Sequence, residues 1–179
     1  MCIRDSGWES EGKAAWEDYW GDRGFNLGFA GDRTENVLWR IEHGALENLD
    51  PKLTVLLIGT NNTGHRMDPP ENAARGVRKI LDELEQRLPE SRVLLLAIFP
   101  RGTDAADLKR QNNDGINALT RGFADGDRVT WLDLSGQFMD EAGALKQDIM
   151  PDLLHLNEEG YAAWAAAMNP VIEELLSSR

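Results

Sequence analysis

The chain has 179 residues, 41% hydrophobic and 28% charged, which is the composition of one soluble globular domain with a core of ordinary size. Its net charge of -12 disfavours nucleic acid and anionic lipid surfaces as partners, since no basic cluster offsets the repulsion of phosphate. Small neutral or cationic substrates fit that charge. No apolar run approaches the roughly 18 residues of a membrane span, and Cys2, the only cysteine, excludes an intramolecular disulfide and a cysteine-based metal site. The compartment, cytoplasmic or exported, stays open.

Apolar runs alternate with segments of helical period, the pattern of a parallel sheet with helices on both faces. Residues 25–29 read as a short strand. Asp32 and Glu35 then have the spacing of a capping box, opening a helix with Val37, Leu38 and Ile41 on its apolar face and Gly44 as its stop. Residues 53–59 form a nearly continuous apolar run, as expected of a strand covered on both faces, and Thr60-Asn61-Asn62-Thr63-Gly64 follows as a loop. Asp68 caps the next expected helix, with Pro69 at its first position, Val77, Ile80, Leu81, Leu84 and Leu88 on one stripe, and Pro89 as its end. Residues 93–99 repeat the buried-strand pattern. A weaker helix carries Ile116, Leu119 and Phe123, and residues 129–134 make the last strand. Asn157 caps the final helix, with Tyr161, Trp164, Ala165 and Met168 inward and Pro170 as a kink or interruption.

In open parallel sheets ligands bind beyond the C-terminal strand ends, so the residues just after each apolar run carry the interest. Gly28-Phe29-Ala30-Gly31-Asp32 could bring a backbone N–H close to a ligand at a helix start. Gly59-Thr60-Asn61-Asn62 offers amides able to donate to an oxyanion. Asp152, three residues ahead of His155, could hold the imidazole Nδ1–H and leave Nε2 as a general base. Taken singly, these are a tight turn, an Asn-rich turn and a surface pair.

Together, Phe25-Asn26-Leu27-Gly28-Phe29-Ala30-Gly31-Asp32-Arg33-Thr34, Leu57-Ile58-Gly59-Thr60-Asn61-Asn62 and Met150-Pro151-Asp152-Leu153-Leu154-His155-Leu156 resemble, in order and spacing, the SGNH/GDSL hydrolases. The nearest likeness is to the platelet-activating-factor acetylhydrolase-like branch. The resemblance implies a three-layer α/β/α fold with a flavodoxin-like parallel sheet, and a serine esterase that cleaves short acyl esters, acetyl foremost, of carbohydrate or lipid. It implies Gly31 and Asn61 as oxyanion donors, His155 as base and Asp152 as its orienting partner, with no metal or organic cofactor. A small-molecule ester is the expected partner, and a homodimer is an assembly known in the family.

The family's first block is Gly-Asp-Ser, about three variable residues, and then a segment like Gly7-Trp8-Glu9-Ser10-Glu11-Gly12-Lys13. Counting back from Gly7 puts the serine at Ile3. Asp5-Ser6 imitates the motif but is three residues out of register, about 10 Å along an extended chain. Met1-Cys2-Ile3-Arg4-Asp5-Ser6 back-translates to a sequence resembling the end of a transposon adapter. Residues 1–6 are therefore read as non-native and residues 7–179 as one esterase domain whose first strand, expected between those at residues 25 and 53, is missing. Ser10 lies in the first helix region, Ser91 at the wrong strand end, Ser177 and Ser178 in the tail, and Ser135 after a strand the resemblance sets away from the triad. The chain as written is expected to be inactive and less stable than its parent.

A second reading, a binding or scaffold protein that has lost the serine, predicts ligand binding without turnover. A nucleotide-binding flavodoxin-like domain is less well supported, because no Gly-rich phosphate fingerprint follows a predicted strand. Of the remaining histidines, His43 is expected to face the negative pole of a helix, and His65 to be a solvent-exposed residue bordering the Asn61 loop. The tryptophans read as core, Trp39 being the one to test for ligand contact. Glu9, Glu11, Glu17 and Asp18 read as a solvated helix face.

Overall fold

The computed structural model describes residues 6–177. The expectations placed on residues 1–5, including the serine register at Ile3 and the state of Cys2, lie outside the described residues. After a 3-10 turn at Ser6–Glu9, the elements run α1 (Lys13–Tyr19), α2 (Thr34–Glu42), β1 (Leu53–Leu56), α3 (Thr60–Arg66), α4 (Pro70–Arg87), β2 (Arg92–Leu96), α5 (Leu108–Thr120), β3 (Val129–Leu132), α6 (Ser135–Phe138) and α7 (Glu158–Ser177). The three strands form one parallel sheet in the order β1-β2-β3, with Leu53 opposite Arg92 and Val93 opposite Val129.

Successive strand residues point to opposite faces, so the apolar runs feed two cores. Leu53, Val55, Leu57, Leu94 and Leu96 pack with Trp8, Tyr161, Trp164 and Met168 of the α1 and α7 layer. Leu56, Ile58, Val93 and Leu95 pack with Val37 and Ile41 of α2 and with Val77, Ile80, Leu81 and Leu84 of α4. This is the three-layer α/β/α arrangement that the hydrophobic pattern predicts. Among the described residues no helix is long and apolar enough to cross a membrane.

Several local expectations need correction. Residues 25–29 form no strand among the described residues; only Asn26 has a bridge, and Phe25 and Phe29 are exposed. Asp32 is not a cap. Its carboxylate is buried in a two-point ion pair with Arg40 (2.6 and 3.1 Å), and α2 starts one residue later, where Asn36 Oδ1 accepts the Arg33 N–H. Residues 60–64 are helical rather than a loop, because Gly59 turns the chain with φ +126 directly into α3. The first helical residue of α4 is Pro70, with Pro69 at the cap position, while Asp68 binds Asn62 and Arg66 instead. The strand expected at residues 93–99 pairs only as far as Leu96, and the one expected at 129–134 ends at Leu132. Leu119 faces solvent on α5. In α7, Asn157 Oδ1 accepts the Gly160 N–H (3.0 Å) as expected of a cap, and the helix runs through Pro170 without interruption.

Candidate active site

His155 sits in the turn before α7, held by one carboxylate with two duties. Asp152 Oδ1 accepts the N–H groups of Leu154 (3.0 Å) and His155 (2.7 Å), and its Oδ2 lies 2.6 Å from His155 Nδ1. Burial pushes the Asp152 carboxyl up, but the His155 N–H, its imidazole and the Leu154 N–H outweigh this and hold it below the ordinary carboxylate range. An ionised Asp152 can accept a hydrogen bond from a proton-bearing Nδ1, an arrangement that would leave Nε2 able to take up a proton. Both side chains are open to solvent, at 72% for His155 and 57% for Asp152. Leu153, between them, has φ +61, a conformation that a branched side chain adopts only when its surroundings impose it.

Asn61, the first-turn residue of α3, is buried, and its Nδ2 donates to the carbonyl of Asp32 (2.9 Å). That bond sets Asn61 against the Asp32-Arg33 peptide, one residue past Gly31. A primary amide has two N–H groups, so Asn61 retains a second donor beside this contact. Gly31 has φ +78, and a β-carbon there would lie 3.8 Å from His65 Cε1. His65 is exposed on α3, as expected, and also borders Gly31. Asn62 does different work: its Oδ1 accepts the Thr34 N–H at the start of α2 (3.1 Å) and its Nδ2 donates to Asp68 (3.0 Å), tying α2 to α3.

Beyond the ends of β1 and β2 lies a small cavity of about 40 Å³ lined by Leu57, Thr60, Phe99, His155 and Tyr161, among others. It brings the segment before Asn61 and the histidine turn to one place at the sheet rim. An apolar cavity of about 360 Å³ lies near the opposite end of β1, against Trp8, Trp16, Trp20, Leu53 and Ile172.

Other features take simpler roles. His43 Nδ1 lies 2.6 Å from the Trp39 carbonyl and its ring stacks on Trp39 at 4.2 Å, so Trp39 is exposed but engaged. Glu9, Glu11, Glu17 and Asp18 are exposed, while Trp8 and Trp164 are core.

Three buried polar residues escape the sequence reading. Arg101 donates to the carbonyl and hydroxyl of Thr60. Arg110 donates to the carbonyls of Arg101, Gly102 and Gly143. Asn113 donates to the Thr60 hydroxyl and the Phe99 carbonyl. The available signal for Arg101 was its position just past the apolar run at residues 93–99, the same rule that singled out the other loops.

The family model of GDSL-like lipases and acylhydrolases matches residues 4–163. The chain belongs to that family. Among its curated relatives, platelet-activating factor acetylhydrolase IB subunit alpha1 of Pongo abelii is 37% identical over 153 residues, covering 85% of this chain and 64% of the relative. The alpha2 subunit of Rattus norvegicus is 36% identical over 152 residues, covering 84% and 65%. This chain thus spans just under two thirds of those relatives. Among solved structures, a carbohydrate acetylesterase from Sinorhizobium meliloti aligns with a TM-score of 0.75 at 16% identity, covering 97% of each chain. An acetylxylan esterase from Geobacillus stearothermophilus aligns with a TM-score of 0.74 at 17% identity, covering 97% of this chain and 84% of its own. At such identities the likeness speaks for the fold.

Proposed function

We propose that residues 7–179 are the greater part of a single serine esterase domain that removes short acyl groups, acetyl foremost, from carbohydrate or lipid esters. The observation that carries this reading is the 2.6 Å contact of Asp152 Oδ2 with His155 Nδ1 in a turn that the same carboxylate caps. In this reading His155 Nε2 takes the proton of a serine hydroxyl as the serine oxygen bonds to the ester carbonyl carbon. Gly31 N–H and the free Asn61 N–H donate to the resulting oxyanion. The imidazolium then gives its proton to the departing alkoxide, leaving an acyl-serine, and His155 activates water to release the acid. Asp152 stays ionised throughout.

The serine itself belongs to a Gly-Asp-Ser block upstream of Gly7, so the chain as written is inactive. Ser10 supports no alternative, since its hydroxyl is bound to Glu11 on the exposed face. A binding protein without turnover is favoured only by the serine's absence, whereas the intact dyad and donor loops favour the enzyme. Placing the strand and Gly-Asp-Ser ahead of Gly7 should yield p-nitrophenyl acetate hydrolysis that disappears in His155→Ala. A restored chain whose turnover survives that substitution would refute the assignment.

A further inference from the structure

We propose that Arg101 is a positioning residue for this site, its buried guanidinium seating the Asn61 helix while its neighbour Gly102 holds the turn of Asp152 and His155. The proposal deepens the esterase reading and rests on it for its catalytic consequence. Arg101 is only 9% exposed, and a guanidinium is costly to bury unless it is paired with well-placed acceptors. Its Nη1 lies 3.0 Å from the Thr60 carbonyl oxygen and 3.1 Å from the Thr60 hydroxyl. Thr60 is the residue before Asn61 and the first of α3. The same nitrogen underlies the next turn of that helix, where a β-carbon on Gly64 would sit 2.8 Å from it. Glycine at this position lets α3 close down on the cation, so the helix rests on Arg101 at both Thr60 and Gly64.

The next residue reaches the other half of the site. The Gly102 N–H donates to the Leu153 carbonyl (3.0 Å), and Leu153 is the residue with φ +61 inside the Asp152–His155 turn. One short segment after β2 thus touches the residue before the proposed oxyanion donor and a residue within the proposed dyad turn. The segment is itself clamped. Arg110, 3% exposed, donates to the carbonyls of Arg101 (2.9 Å), Gly102 (3.0 Å) and Gly143 (2.7 Å). Each bond is directional, whereas the apolar contacts of the layers below tolerate sliding. Productive geometry has to be kept within roughly half an ångström, and these bonds are what relate one side of the site to the other.

The first test uses the isotopically labelled chain as written and needs no turnover. In Arg101→Ala, with native spectral dispersion retained, the Asn61 side-chain amide signals should shift and the Asp152 carboxyl should titrate closer to the ordinary carboxylate range. Arg101→Lys, which keeps a cation on a flexible stem, should return the Asn61 signals part of the way toward their original positions. Unchanged Asn61 and Asp152 signals in folded Arg101→Ala would overturn the proposal. Should Arg101→Ala fail to fold, Arg101→Gln keeps a polar side chain without the cation; shifted Asn61 signals then support the seating and unchanged ones overturn it.

The second test uses the chain with Gly-Asp-Ser restored. Arg101→Ala should lower kcat by about 100-fold, the scale of a lost oxyanion donor, with little change in KM. When Asn61 is already alanine it should cost less than its full factor, the remainder passing through the Asp152–His155 turn. Losses that multiply in full would overturn the coupling. Absence of turnover in every restored form, with the Asn61 and Asp152 signals still moving in Arg101→Ala, would refute the esterase reading while supporting the positional link.

Discussion

Two regions of this molecule are equally well buried and are held by different forces. Between the sheet and the α1 and α7 layer, Trp8 and Trp164 lie 4.6 Å apart, with Tyr161 and Phe99 packed edge-on around them. At the strand ends, Thr60, Asn61, Asn62, Arg101, Arg110 and Asn113 are also at most 9% exposed, yet they fill their space with hydrogen bonds. Apolar burial follows the area removed from water and is indifferent to direction. A buried polar group is stable only while its partners stand at the right distance and angle. The aromatic layer therefore sets how stable the domain is, and the polar rim sets where its donors point. Damage to the aromatic layer should show as a global loss of stability, and damage to the rim as local loosening around the groups its hydrogen bonds hold.

The largest expected effect lies outside both, on the exposed dyad. In the chain with its serine restored, Asp152→Asn should cut turnover by roughly 10⁴-fold through loss of the correct imidazole tautomer. The thermal midpoint should scarcely move, since the side chain is 57% exposed. Trp164→Ala addresses the aromatic layer. Trp164 is fully buried, so truncation should cost about 3–5 kcal/mol in urea unfolding. Where the protein stays folded, the titration of Asp152 should be unaltered. Asn62→Ala probes the rim: it leaves the Thr34 N–H without its side-chain acceptor and should cost about 1–3 kcal/mol, loosening the start of α2 in amide exchange.

The smallest effect is one of pH. The folded Asp152 carboxyl lies below its ordinary value, so its contribution to stability is present above the unfolded carboxylate range and is lost as pH falls through the folded value. Asp152→Asn should therefore lower stability slightly on the neutral side and flatten the acid side of a stability-versus-pH profile, so that the two profiles converge as pH falls. A steeper acid loss in the variant would contradict the sign of that shift.

The same contrast explains what was legible in the sequence. Hydrophobic period is a statement about area, so the stripe of Val77, Ile80, Leu81 and Leu84, the paired runs at Leu53 and Val93, and the inward face of α7 could be read directly. Caps and short helices depend on single hydrogen bonds, and there the structure departs from the hydrophobic pattern by a residue or more. Asp32 looked like a cap and is buried against Arg40, while the residues after Gly59 looked like a loop and coil into α3. Residues 25–29 have the composition of a strand, but Phe25 and Phe29 are left exposed, and strand pairing needs a partner that local composition does not specify. Asp152 and His155 were visible because their spacing is short. Arg101 stands just past an apolar run, yet nothing local marks it for burial, because its partner Thr60 lies far away in sequence.

The central claim is that acyl transfer at this rim requires a serine upstream of Gly7, working through His155. An activity-directed fluorophosphonate probe measures this directly, with the modified residue located by peptide mass spectrometry. The chain as written should remain unlabelled, and the chain carrying Gly-Asp-Ser should be labelled on that serine alone, with labelling abolished by His155→Ala. Labelling of Ser6 or Ser10 in the chain as written, dependent on His155, would contradict the account.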